Sequence, residues 1–238
     1  MIKDIQDIDI IYQQEYLFWF GDWDNLIVLD GCRFDTFVEN NTIPGIMKPA
    51  WSPASRTDYW LRYSIKNKKF LDTIMVSGNH FTRRFRDHFY LYYDAFNHDY
   101  DDNRMCMPPE PITNRSILMK DLFPDKRIIS WYMQPHIPFI GKNPITYREL
   151  SGNKDEFITI ERIVGKWGYK PEEVYISYEN NLKYVLIEVE RLMNTIEGKT
   201  VITADHGNSF GEYGKFGHEV QVLENIPSQR LVPWLEAF

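Results

Sequence analysis

The sequence predicts an α/β fold of three layers, with helices covering both faces of a mostly parallel central sheet. Two observations carry that prediction. The short apolar runs Leu26-Ile27-Val28-Leu29 and Val201-Ile202-Thr203-Ala204 each stop abruptly at an acid, Asp30 and Asp205. Buried parallel strands deliver side chains in this way to the crevice beyond their carboxyl ends. Between such runs lie segments whose apolar residues recur three and four apart, the spacing of one helix face. Strands alternating with helices imply crossover connections, which place helices on both sheet faces.

Taken in order, a polar and aromatic lead-in precedes the first strand, Leu26 to Leu29. Arg33 to Asn40 reads as a short helix, ended by Asn40-Asn41 and Pro44-Gly45. A second strand is expected around Gly45 to Met47. The aromatic segment from Ala50 to Leu61 reads as helical, with Ser52 before Pro53 marking its start because proline is tolerated in a first turn. Leu71 to Val76 is the next strand, closed by Ser77-Gly78-Asn79-His80. Arg115 to Leu122 suggests a helix and Arg127 to Met133 a strand. From Pro171 to Ile196 runs the longest helical pattern, with Leu182, Val185, Leu186, Val189, Leu192, Met193 and Ile196 on one stripe. The segments 81–114 and 141–170 show weak periodicity and are expected to be insertions in a single domain spanning 1–238. Phe81 to Asn114 is rich in Arg, Asp, Tyr and Phe. Such a segment can pack as an insertion or shape a pocket for a sugar or nucleotide leaving group.

At 238 residues and 43% hydrophobic, the chain is long enough for one sizeable core. The net charge of −7 argues against a nucleic-acid groove or an anionic membrane surface as the main partner, since either calls for a basic stripe. Arg83-Arg84-Phe85-Arg86 is a short basic cluster that reads as a solvated face. Two cysteines, Cys32 and Cys106, imply no disulfide framework, so a cytoplasmic location is the expectation. No apolar run approaches the length of a membrane span, and the acidic first ten residues do not read as a signal peptide. Oligomeric state is not legible.

The chemistry gathers at three predicted strand ends: Asp30, His136, and Asp205 with His206. A further histidine, His218, returns on a segment carrying Gly211, Gly214 and Gly217. Carboxylate oxygens and imidazoles are the ligands that a cation such as zinc prefers, and parallel strands bring their carboxyl ends to one edge.

Asp30-Gly31 after a strand, Ser52-Pro53-Ala54-Ser55-Arg56, the Gln134-Pro135-His136 segment with Pro138, and Thr203-Ala204-Asp205-His206-Gly207 with the later Gly217-His218 together resemble the alkaline phosphatase superfamily. That group includes phosphatases, phosphodiesterases, sulfatases, and phosphoglycerol and phosphoethanolamine transferases. The close of the chain, Arg230 to Leu235, resembles the end of compact sulfatase-like proteins of archaeal type. The resemblance implies an alkaline-phosphatase-like core in which Asp30, Asp205 and His206 hold a divalent cation, zinc or manganese. His218 matches a ligand of a second ion or a contact to the transferred group, and His136 a contact to metal or substrate anion. Ser52 falls at the nucleophile position and Arg56 at its supporting arginine, with Thr57 and Ser55 as alternatives; each hydroxyl is otherwise a helix cap. Arg33 and Asp35 match a pattern near the first ligand. In two-metal members an Asp stands four residues before a metal-binding His; here that position is Tyr132, which leaves one or two ions open.

The implied activity is metal-dependent hydrolysis or transfer of a phosphate ester through a covalent phospho-enzyme. The implied substrates are small-molecule, glycan or lipid phosphate esters. A sulfatase acting through a formylglycine at Ser52 is the alternative, although Ala54 and His206 depart from the sulfatase pattern. A non-catalytic metal-binding protein is the further alternative.

Overall fold

The computed structural model describes residues 10–153, 156, 158–218 and 225–238. The opening residues, read above as no signal peptide, lie outside the described residues up to position 9. Ten strands are described: β1 (Tyr12–Gln13), β2 (Asn25–Leu29), β3 (Gly45–Trp51), β4 (Phe70–Ser77), β5 (Phe89–Asp94), β6 (Arg127–Tyr132), β7 (Thr200–Thr203), β8 (Ser209–Phe210), β9 (Phe216–Gly217) and β10 (Leu231–Ala237). Eight form one sheet in the order β1-β3-β10-β7-β2-β6-β4-β5, and β8 with β9 makes a separate ribbon. Every pairing in the large sheet is parallel except those of β10, which runs antiparallel to both β3 and β7. The fold is thus α/β with a mostly parallel sheet and flanking helices, as the strand and helix alternation predicts.

The centre of the sheet is apolar because it is covered on both faces. Every residue of β2 and β7 is buried, and so are Ile128, Ile129, Trp131 and Tyr132 of β6. The long helix Pro171–Met193 buries Val174, Tyr178, Leu182, Val185, Leu186, Val189 and Leu192 on one stripe. Burying each such side chain contributes on the order of 1.5–3 kcal/mol. The helix stops at Met193, three residues short of the predicted end. Trp60 and Trp131 meet edge to face at 5.3 Å inside the same core.

Several elements differ from the sequence reading. The helix expected near Pro53 begins at Thr57 and runs to Ser64. Residues 50 and 51 instead finish β3, and Ser52 leaves that strand with its amide bound to the Arg230 carbonyl. The helix expected from Arg115 starts at Pro109, where two prolines suit a first turn. Within 81–114, Phe89–Asp94 pairs with β4 and forms one edge of the main sheet. The segment 141–170 contains two short helices, Tyr147–Leu150 and Ile160–Gly165. It shares a second apolar cluster with the long helix, built on Phe139, Ile145, Ile163, Val174 and Tyr178.

Candidate metal centre and active site

The register of two central strands fixes the core of the site. Val28 of β2 pairs with Thr203 of β7, so two residues further on Asp30 and Asp205 leave neighbouring strand ends side by side. Asp30, Asp205 and His206 are fully buried or nearly so. One ligand atom from each lies within 4.8 Å of the other two. The Asp30 carboxyl is pushed up to about 7, first by burial and then by the charge of Asp205. Two buried carboxylates in contact repel one another unless a proton or a cation stands between them.

Hydrogen bonds aim these three groups. Asn79 Nδ2 and Trp131 Nε1 donate to Asp30 Oδ2 at 2.5 and 3.1 Å. The Gly31 and His206 amides donate to Asp205 Oδ1 at 3.1 and 3.0 Å. His206 Nδ1 lies 2.9 Å from the Gly207 carbonyl, which fixes its proton there and leaves Nε2 a lone pair. The atoms then remaining are Asp30 Oδ1, Asp205 Oδ2 and His206 Nε2, with Nε2 3.8 Å from the first and 3.4 Å from the second. This donor set, two carboxylate oxygens and one imidazole nitrogen, fits a divalent cation of the zinc or manganese type.

A hydroxyl joins them. Thr57 opens the helix Thr57–Ser64, and its Oγ1 donates to Asp205 Oδ2 at 2.7 Å and stands 3.4 Å from His206 Nε2. Ser52 is placed differently. Its Oγ is 2.7 Å from the Ala54 carbonyl and also bonds the Asp205 carbonyl, so it braces main chain behind the carboxylates rather than facing them. Ser55 is fully buried. Arg56 is the residue before the helix, with Nε 3.2 Å from Asp58 and its side chain 36% exposed at the mouth of the site.

His136 and His218 form the facing side. Their Nε2 atoms are 3.0 Å apart, and the His218 ring lies 4.2 Å from that of His206. His136 Nδ1 is 2.9 Å from the Ile137 carbonyl. Burial, then His206, His136 and Arg56, holds His218 well below the ordinary imidazole range, so it is neutral at pH 7. His218 arrives on the β8–β9 ribbon, where Gly217 adopts φ +75°. Gly31, at φ +67°, admits the close approach of Asn208, because a Cβ there would lie 2.5 Å from its side chain.

Arg33 ties the loop after β2 to the loop after β7. Its guanidinium bonds Asp35 through Nε at 2.8 Å and Nη2 at 2.5 Å, reaches the Asn208 carbonyl at 3.2 Å and pairs with Glu212. Burial alone would raise the Asp35 carboxyl, yet the bonds and charge of Arg33 hold it below its ordinary value. Cys32 is buried, and that burial pushes its thiol well up, which makes it unreactive. The sequence reading missed Asn79 and Trp131. Asn79 follows a predicted strand just as Asp30 does, and that shared position was the available signal.

No family model and no curated protein matches this sequence. Solved structures do share the fold. The C-terminal periplasmic domain of phosphoethanolamine transferase EptC from Campylobacter jejuni is 16% identical, with 89% of this chain and 77% of that chain covered at a TM-score of 0.57. The integral membrane protein lipooligosaccharide phosphoethanolamine transferase A from Neisseria meningitidis is 14% identical, with 89% of this chain and 47% of that chain covered at 0.57. A putative sulfatase from Bacteroides thetaiotaomicron is 11% identical, with 91% and 64% covered at 0.61. The fold is therefore that of the phosphoethanolamine transferases and sulfatases of the alkaline phosphatase superfamily. The expected cytoplasmic location is overturned by these neighbours, of which one is a periplasmic domain and one an integral membrane protein. Two buried, unpaired cysteines suit either side of a membrane, so their scarcity was no guide to compartment. Among the described residues no helix is long and apolar enough to cross a membrane.

Proposed function

We propose that this chain is a metal-dependent phosphotransferase or phosphoric ester hydrolase whose nucleophile is Thr57. The observation that carries this reading is the Thr57 hydroxyl, bonded at 2.7 Å to one of the two carboxylates that would hold the cation and set at the first residue of a helix. Asp30, Asp205 and His206 are the ligands we assign. A divalent cation bound there lowers the pKa of a neighbouring hydroxyl and offsets charge on phosphoryl oxygens.

The chain's own groups supply the remainder. Asp205 fixes the Thr57 rotamer and accepts its hydrogen bond, while the amide dipoles of the helix start favour negative charge on Oγ1. Attack forms an Oγ1–P bond as the bond from phosphorus to the leaving oxygen breaks in line, and the Thr57 hydroxyl proton passes along its hydrogen bond to Asp205 Oδ2. His136 and His218, whose Nε2 atoms lie 3.0 Å apart, stand on the side that would face the departing oxygen and orient it, and that oxygen takes its proton from solvent water. Water or an acceptor alcohol then attacks the phosphothreonine and returns the Thr57 hydroxyl. Arg56 at the mouth offers a cation to the incoming phosphoryl group.

Sulfate-ester hydrolysis is disfavoured by the same geometry. It calls for a formylglycine, made from cysteine or serine, and the hydroxyl beside the carboxylates belongs to a threonine. The test is phosphate release from mono- and diester substrates by the metal-loaded protein, with intact mass of trapped enzyme as a second readout. We expect a phosphoryl adduct on Thr57 that Thr57→Ala lacks and Ser52→Ala retains. Sulfate release with no phosphate release, or an adduct on another residue, would overturn the assignment.

A further inference from the structure

The segment following Asn79 borders the site directly, since Asn79 holds Asp30 and the next residue opens the 3-10 turn His80–His88. His80 packs on Phe81 at 4.1 Å and on Phe96 at 5.3 Å, and Phe96 meets Tyr100 at 5.3 Å. The Arg84 guanidinium lies over the half-buried Phe81 ring, 5.5 Å from its centre. Arg83 is bound to Asp94 at 2.5 Å, whereas Arg84 is exposed and has no acidic partner among the described residues. Partial burial, then the charges of Arg84 and Arg83, hold the His80 imidazole below its ordinary range, and the turn His80–His88 packs against the helix that Thr57 opens. In a chain of net charge −7, an uncompensated guanidinium beside the site is a local exception that favours anions.

We propose that His80, Arg84 and Phe96 form a subsite for the non-reacting part of the ester, and that this part is a sugar bearing a second phosphate. The aromatic rings offer an apolar base for the face of a sugar ring, Arg84 a fork of donors to its anionic group, and His80 a hydrogen bond between them. This inference rests on the phosphate-ester reading and adds to it a substrate class.

The experiment compares glucose 1,6-bisphosphate with glucose 1-phosphate. Calorimetry in a Thr57→Ala background gives their affinities without turnover, and phosphate release by the wild-type protein is followed in parallel. The bisphosphate should bind at least about tenfold more tightly, the effect expected of one charge-assisted contact. That ratio should collapse towards one in Arg84→Ala, survive in part in Arg84→Lys, and persist in Arg86→Ala, whose side chain turns to Asp87. Equal affinities before any change at Arg84, or a ratio that Arg84→Ala leaves intact, would overturn the subsite. Phosphate release with no affinity ratio removes the subsite and keeps the reaction; an affinity ratio with no release keeps the subsite and removes the reaction.

Discussion

Removing the Thr57 hydroxyl should lower kcat by roughly 10³-fold or more, because a displacement without its nucleophile keeps only what binding and charge stabilisation supply. Thr57→Ser should keep a measurable share of activity, since the helix start still presents a hydroxyl to Asp205. Ser52→Ala should act on stability instead, its hydroxyl being bonded to main-chain carbonyls. Steady-state rates beside thermal melts separate these outcomes. Asp30 adds a pH signature. An aspartate titrates near 3.9 when unfolded, and in the folded, metal-free protein Asp30 is pushed up to about 7. The folded state thus binds this proton more tightly, so its stabilising effect is complete at low pH and is lost as pH rises from about 4 through about 7. Chelated protein should melt progressively lower across that window relative to Asp30→Asn, in which the titrating group is gone. A constant difference between the two melts would refute the assignment.

Among the elements, the central parallel strands were legible, whereas the antiparallel strand inside the sheet and the aromatic strand at its edge were not. A strand buried on both faces needs apolar residues throughout, so β2, β4, β6 and β7 announce themselves as short runs. The last strand, Leu231–Ala237, carries Pro233 and an acid, and its place is set by pairing with β3 and β7, partners distant in sequence. Local pattern holds no trace of such pairing. The aromatic strand Phe89–Asp94 alternates too weakly to stand apart from its surroundings. The same limit bears on the proposed nucleophile. Pro53 is a valid helix-start signal, but the chain uses it in the loop after β3, and the helix begins only at Thr57. Asp30, Asp205 and His206 were readable because strand register alone brings them together. Arg33 is the brace between two of the loops concerned. Arg33→Ala should cost about 2 kcal/mol, less than a fully buried pair because Asp35 and Glu212 are partly exposed, and urea melts would show it. No change in midpoint would mean that the brace contributes nothing.

For the whole molecule, the proposed cation site joins elements that are far apart in the chain. Asp30 leaves β2, Asn79 follows β4, Trp131 belongs to β6, and Asp205 follows β7, so an ion bound there would tie four neighbouring strands at one edge. A ligand that binds only the folded state stabilises it by mass action, about 2.7 kcal/mol at a concentration one hundred times its Kd. For a domain of this length each kcal/mol corresponds to about 2–4 °C in Tm. Zinc or manganese added to chelated protein should therefore raise the melting temperature by roughly 5–10 °C at such saturation, and magnesium, which prefers oxygen ligands, should do less. Asp205→Ala should abolish the rise. Asn79→Ala should leave it reachable only at cation concentrations about 10–100-fold higher, as expected when the group that orients a ligand is removed. A melting temperature indifferent to every cation would show that the paired carboxylates are held apart by a proton alone, and the metal-dependent reaction would fall with it.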